Sequence, residues 1–216
     1  MKKLGLIVTI ALSLFVAFSS CKSSSNLEKA KKNQYKNKLA EFKKGGWTIF
    51  GSVKTLEVAL LEYYDALEKE GAVDVVGIAS SFISKNVGQQ SAMNAACNNY
   101  ARIAQTMIKG RIASDLFSNA DEVPAEFDKF YAAYESMVVK EIKGELKPYF
   151  SVIRTKGKDE KGREIYEMQS FFIVNENEAA KARMRAMETA MQESQVAQKY
   201  AKKVSNFVQS DAVKVE

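Results

Sequence analysis

The stretch GELKPYFSVIRTKGKDEKGREIYEMQSFFIVN, residues 144 to 175, constrains the fold more than any other part of the chain. Tyr149 to Arg154 and Glu164 to Val174 are rich in β-branched and aromatic residues, and a charged segment from Gly157 to Gly162 separates them. Two such runs around such a turn predict an antiparallel hairpin. A second β-branched run, VDVVGIASSF from Val73 to Phe82, predicts an inner strand of the same sheet, and GWTIFG, residues 46 to 51, a short additional strand.

Helical spacing fills the intervals. Ser52 introduces an amphipathic helix with Leu56, Leu60, Tyr63 or Tyr64, and Leu67 on one face, closed by Gly71. From Gln89 to about Lys109, Ala92, Ala95, Ala96, Ile103, Ala104 and Met107 recur at helical spacing, and small residues on such a face allow a close approach to a sheet. The segment from Arg111 to Phe117 reads as helix end or strand, and NADEVPAEF as a loop. Phe127, Phe130, Tyr131, Tyr134 and Val138 mark a third helix. Asn175 and Glu178 have capping-box spacing for a last one over residues 176 to 209. Its seam holds Ala180, Met184, Met187, Met191, Ala201, Val204 and Val208. At ~1.5 Å per residue, such a helix reaches about 45 Å, longer than a compact domain of this size needs. Ala201, Val204 and Val208 are therefore expected to form an interaction seam, covered by the amino-terminal helix, a second copy or a foreign partner. The class is α+β, a small, mainly antiparallel sheet packed by several helices, with a long carboxy-terminal helix and a helical amino-terminal tether.

The amino terminus has a different character. Lys2 and Lys3 precede an apolar run from Leu4 to Phe18, which falls short of the roughly twenty residues a bilayer-spanning helix requires. It has the layout of a secretory signal, with Ser19 and Ser20 as small residues before a cut ahead of Cys21. The Ser20-Cys21 junction resembles the lipobox of bacterial lipoproteins, where the cysteine is acylated with diacylglycerol and becomes the new terminus; Phe18 stands where that motif usually has leucine. The alternative is a plain signal cut nearby, with Cys21 left as a thiol. Residues 1–20 are thus read as signal peptide, 21–45 as lipidated cysteine and basic tether, and 46–216 as one domain. Cys97, the other cysteine, lies in an alanine-rich helical setting and is expected to be a small buried residue.

Charge sorts along the chain. The whole chain carries +6, of which Lys2 and Lys3 account for +2 and residues 22 to 44, with eight lysines against Glu28 and Glu41, for +6; residues 45 to 216 are therefore −2. A folded part of this balance is not that of a nucleic-acid binder. The lysine-rich tether suits anionic head groups or other envelope polyanions, or serves as a solvated spacer.

Catalytic motifs are sparse. With no histidine, Ser-His-Asp and Cys-His catalysis and the commonest zinc ligands are excluded, and one cysteine beyond Cys21 cannot build a thiolate metal site. No P-loop or G-x-G-x-x-G occurs, and Asp115, Asp121 and Glu122 lack the spacing of a calcium loop. Neither a catalytic residue, a metal site nor a cofactor is expected. Glu141 and Glu145 are paired carboxylates such as a glycosidase uses, a pairing that also arises by chance among 26 acidic residues. Trp47, Phe50, Tyr63, Tyr64, Phe127, Phe130, Tyr131 and Tyr134 suit a core, or else the lining of a sugar cleft.

The acylatable cysteine, GIASSFISKN, the alanine-periodic SAMNAACNNYARIAQTMIKGRIASD with its Ala101-Arg102 pair, and the later hairpin together resemble the lipoprotein 20 family of Gram-negative envelope lipoproteins. The likeness covers about residues 73 to 174. It implies a small α+β domain on an outer-membrane or surface lipoprotein without established enzymatic activity.

Two function classes follow. One is a lipid-anchored, non-catalytic binding or assembly module of the envelope, partnered by the membrane and by an envelope protein or a second copy. The other is a carboxylate-based hydrolase of envelope glycans. Lys22, after Cys21, is not the acidic residue that commonly retains lipoproteins at the inner membrane, so the outer membrane is expected; the tether KSSSN, without acids, favours a periplasm-facing domain.

Overall fold

The computed structural model describes residues 24–117 and 123–210. The chain runs α1 (Ser24–Lys44), β1 (Thr48–Phe50), α2 (Leu56–Leu67), β2 (Ala72–Phe82), α3 (Lys85–Leu116), α4 (Phe127–Ile142), β3 (Lys147–Lys158), β4 (Glu164–Asn175), α5 (Glu176–Ala190), α6 (Gln195–Lys199) and α7 (Ala201–Ser210). The strands form one antiparallel sheet in the order β1-β3-β4-β2. The α+β class and the hairpin are as the sequence predicts. Asp159 fixes the hairpin turn, its carboxylate accepting from the amides of Lys161 and Arg163 at 2.9 and 2.8 Å.

Period-two alternation on β4 creates two cores. Phe172 and Val174 face α3, where they join Val73, Val75, Tyr100, Tyr134 and Val138. Phe171 and Ile173 face the opposite way and join Phe150, Val152, Leu60 and Tyr63 beneath α1 and α2. The molecule is thus a helix-sheet-helix sandwich, thicker on the α3 side, where α4, α5 and α7 add to the layer.

The run from Val73 to Phe82 is not an inner strand. β2 pairs only with β4 and forms a sheet edge. Its apolar character comes instead from having both faces in contact with a core, Val73 and Val75 on the α3 side and Ala72 and Val76 on the α2 side. The α3 layer also reaches the edge, where the Asn99 amide donates to the Val76 carbonyl at 3.4 Å.

Close approach explains the small residues. A Cβ on Gly77 would stand 1.8 Å from the Ala92 carbonyl oxygen and 2.8 Å from the Ala96 amide, so the α3 backbone rests directly on the strand there. Gly77 sits beside Ser170, which sits beside Ser151, and the two buried hydroxyls bond each other at 2.8 Å. The buried row on α3 is Ala92, Ala96, Tyr100, Ala104, Ile108 and Ile112, a strict four-residue ridge, which leaves Ile103 45% exposed rather than facing the sheet. Residues 111 to 116 continue this helix, with an Arg111–Asp115 pair at 2.9 Å one turn apart.

The carboxy-terminal region starts as predicted, Asn175 capping α5 by accepting from the Asn177 amide at 3.0 Å. It does not run straight to residue 209. A 3-10 turn at Met191–Glu193 and extended backbone at Ser194 break it, and Ser194 caps α6 while donating to the Glu126 carbonyl at 3.2 Å. A second break at Tyr200 lets α7 fold back, and Tyr200 packs its ring on Phe117 and Phe127. At the other end of the chain the cap of α2 is Thr55 and not Ser52, its hydroxyl accepting from the Val58 amide.

Gly77→Ala should cost about 3 kcal/mol, because the added methyl cannot be accommodated without lifting α3 off the sheet. Gly110→Ala, with nothing near the new methyl, should stabilise α3 by about 0.5 to 1 kcal/mol. Urea denaturation of both variants measures the contrast, and equal midpoints would refute the contact.

Candidate functional site: the amino-terminal helix and the buried arginine

Ser20 and Cys21, the expected cleavage and lipidation positions, lie outside the described residues, but α1 begins only three residues beyond Cys21. The helical tether expected over residues 21–45 is a helix from Ser24, and its later turns, from Tyr35 to Phe42, pack on the domain. Tyr35, Leu39 and Phe42, at i, i+4 and i+7, face the smaller core, Tyr35 against Tyr64 of α2, and Phe42 is completely buried. Its ring meets Phe171 edge-on at 5.8 Å and Trp47 at 6.3 Å. Gly46, in the left-handed region at φ 69°, turns the chain from α1 into β1. The Arg154 guanidinium lies 4.5 Å over Trp47 and holds Glu167 at 2.7 and 2.9 Å, covering the junction.

Electrostatics tie α1 to α2. Lys31 pairs with Glu68 and Lys43 with Glu57, each at 2.6 Å. Lys43 holds the Glu57 carboxyl below its usual range, through its hydrogen bond. Lys38 meets Glu41 at 3.2 Å and stands 4.9 Å above the Phe42 ring.

The expected interaction seam is a correction. Val204 is fully buried and Val208 is 3% exposed, both in the core with α3, α4 and α5 of the same chain, while Ala201 is half-buried. The breaks after Ala190 and Lys199 bring these side chains home, so the seam presents no uncovered apolar surface.

At the centre of that helical layer is a residue the sequence reading passed over. Arg183 is 2% exposed, with its guanidinium 2.6 Å from Glu176 and donating a short hydrogen bond to the Tyr100 hydroxyl. Burial pushes the Tyr100 phenol up to about 12 against the opposing pull of Arg183. A cavity of about 10 Å³, room for one water, lies beside it between Met107, Tyr134 and Phe207. Burial likewise pushes Tyr131 up to about 12. The signal for Arg183 was present: it occupies an apolar-seam position among Ala179, Ala182, Ala186 and Met187, where only a partnered charge is tolerable.

The remaining candidates find structural roles. Glu141 and Glu145 both bind Arg185, at 2.6 and 3.1 Å, forming a clamp between α4 and α5 and not a cleft. Cys97 is fully buried, and burial pushes its thiol up, away from the reactive thiolate. Asp115 is paired with Arg111, while Asp121 and Glu122 lie outside the described residues. Trp47, Tyr63, Phe127, Phe130, Tyr131 and Tyr134 are core residues, and Phe50 and Tyr64 pack against the core half-buried. Met187 and Met191 are core as well. Among the described residues no three His, Cys, Asp or Glu side chains gather to hold a metal, and no helix is long and apolar enough to cross a membrane.

Compared with models of known protein families, with curated proteins and with solved structures, the chain matches none.

Tyr100 and Tyr131 keep their protons to about 12 in the folded chain, whereas unfolded tyrosine ionises near 10. Their contribution is intact below pH 10 and declines as pH rises toward 12, because only the unfolded state then sheds the protons. The loss is about 1.4 kcal/mol per pH unit for each tyrosine. Urea midpoints from pH 9 to 12 should fall less steeply in a Tyr100→Phe/Tyr131→Phe variant than in the wild type; parallel curves would contradict the shifts.

Proposed function

We propose that this protein is an envelope lipoprotein, acylated at Cys21, anchored in the outer membrane with its domain facing the periplasm, and serving there as a non-catalytic binding or assembly module. The observation that carries the reading is the Lys2-Lys3 start, the apolar run and the Ser20-Cys21 junction, followed by a lysine-rich segment. Lys22 after the cysteine supports the outer membrane over inner-membrane retention.

The integration of α1 into the core adds a mechanical consequence. With a lipid on Cys21, the first α1 side chains that meet the rest of the domain, Lys31 at Glu68 and Tyr35 at the smaller core, follow only ten and fourteen residues later, so the domain stays near the surface at its α1 end. A module of this kind acts as a fixed platform at the membrane, not as a body on a long leash. The Glu141–Arg185–Glu145 clamp gives no support to the glycan-hydrolase alternative, since both carboxylates already serve a guanidinium.

Cys21→Ala should abolish incorporation of labelled palmitate and move the protein out of the washed outer-membrane fraction. The circular dichroism of its folded domain should stay unchanged, because Cys21 lies upstream of every packed residue. Label retained by the variant would refute acylation at this position.

A further inference from the structure

Apart from Lys44 at its carboxy-terminal end, which is exposed and has no ion pair among the described residues, the lysines of α1 divide into two sets. Lys31, Lys38 and Lys43 are matched by Glu68, Glu41 and Glu57. Lys29, Lys32 and Lys36 are exposed, recur at i, i+3 and i+7, and have no ion pair among the described residues. At ~100° per residue they line one flank of the helix, a quarter turn from the face that Tyr35, Leu39 and Phe42 bury. Because that face is locked into the core, the cationic flank is held outward at a fixed angle to the whole domain.

The neighbouring charges leave the stripe net positive, with Glu28 of α1, one turn before Lys32, as the acid beside it. On α2, Glu57, Glu62 and Glu68 are each taken by a lysine, Lys43, Lys54 and Lys31, leaving Asp65 as the carboxylate of that helix without one among the described residues. Val58 and Leu61, 45% and 52% exposed, add apolar side chains to the outer surface of α2. Basic and apolar side chains together are the composition that rests on a bilayer interface.

We propose that Lys29, Lys32 and Lys36 form a second, electrostatic contact with the headgroups of anionic phospholipids, so that α1 lies along the membrane surface and fixes the orientation of the domain on it. This rests on the reading of Cys21 as the lipid anchor, which names the same surface. The charge of the stripe complements anionic headgroups, and the acylatable cysteine eight residues before Lys29 brings a bilayer within its reach. An anchored chain keeps the stripe at headgroup depth continuously, where three weak contacts suffice.

The test separates the stripe from the anchor. The full chain bearing Cys21→Ala, which cannot be acylated, is cosedimented with vesicles of phosphatidylcholine alone and with vesicles containing phosphatidylglycerol, at low salt and at 0.5 M salt. A companion chain also carries Lys29→Gln, Lys32→Gln and Lys36→Gln; a third carries arginine at the three positions. The leader with Lys2 and Lys3 is common to all, so differences report the stripe. The expected result is a preference for phosphatidylglycerol larger by on the order of tenfold in the lysine and arginine chains than in the glutamine chain, and lost at 0.5 M salt. An equal preference in the glutamine chain, with unchanged circular dichroism, would overturn the proposal. So would binding to soluble polyphosphate that the three lysines govern while vesicle binding ignores them. Neither outcome bears on acylation, which the palmitate label reads separately.

Discussion

Phe171 and Phe172 stand side by side on the central strand β4 and point to opposite faces of the sheet, and each gathers one of the two cores. The α3 side is the larger. There Phe172 sits beneath a helix whose backbone touches the sheet at Gly77, and α4, α5 and α7 complete the layer. The other side depends on Phe171, stacked on Phe150 with centroids 4.5 Å apart and flanked edge-on by Tyr63 and Phe42. Removing α1 would strip Phe42 from this cluster and uncover Trp47 and Phe171 together. The helix that follows Cys21 is thus a structural member of the smaller core.

That arrangement decides how attachment and folding relate. A lysine-rich segment next to a lipidated cysteine is ordinarily a solvated spacer, and its charge alone gives no reason to think otherwise. Here three of its lysines are spent on α2, with its cap Glu68, and on its own Glu41, Phe42 buries fully while Tyr35 and Leu39 pack half-buried on the smaller core, and the remaining cationic flank takes a fixed direction. The buried Arg183–Glu176 pair with Tyr100 plays the corresponding part in the larger layer. A buried pair of this kind adds little net stability, but it penalises any packing of α5 on α3 that leaves the guanidinium unmatched.

Much of this was legible in the residues. The hairpin was readable because β-branched and aromatic runs flank a charged turn, and the start of α5 because Asn175 is a good cap. The order of the sheet was not: an edge strand with both faces against core has the same apolar pattern as an inner one, and β2 is such a strand. The straight carboxy-terminal helix failed because the seam spacing survives the breaks at Ser194 and Tyr200, while Ser194, the residue able to cap a new helix, carried the contrary signal. The role of α1 was hidden because seven lysines outweigh Tyr35, Leu39 and Phe42 in any reading by composition. Of the candidate site residues, Val204 and Val208 were correctly read as apolar contacts but assigned to the wrong partner, and Arg183 was missed because charge was read as surface.

Hydrogen exchange of the backbone amides in α1 tests the central claim most directly, since it reads the stability of the segment itself. If α1 belongs to the core, amides from Tyr35 to Lys43 exchange through openings nearly as costly as global unfolding, with protection close to that of Phe171 and Val152 in the sheet beneath them. Exchange of those amides at the rate of an unstructured peptide, while β3 and β4 stay protected, would mean a detached tether and would contradict the account.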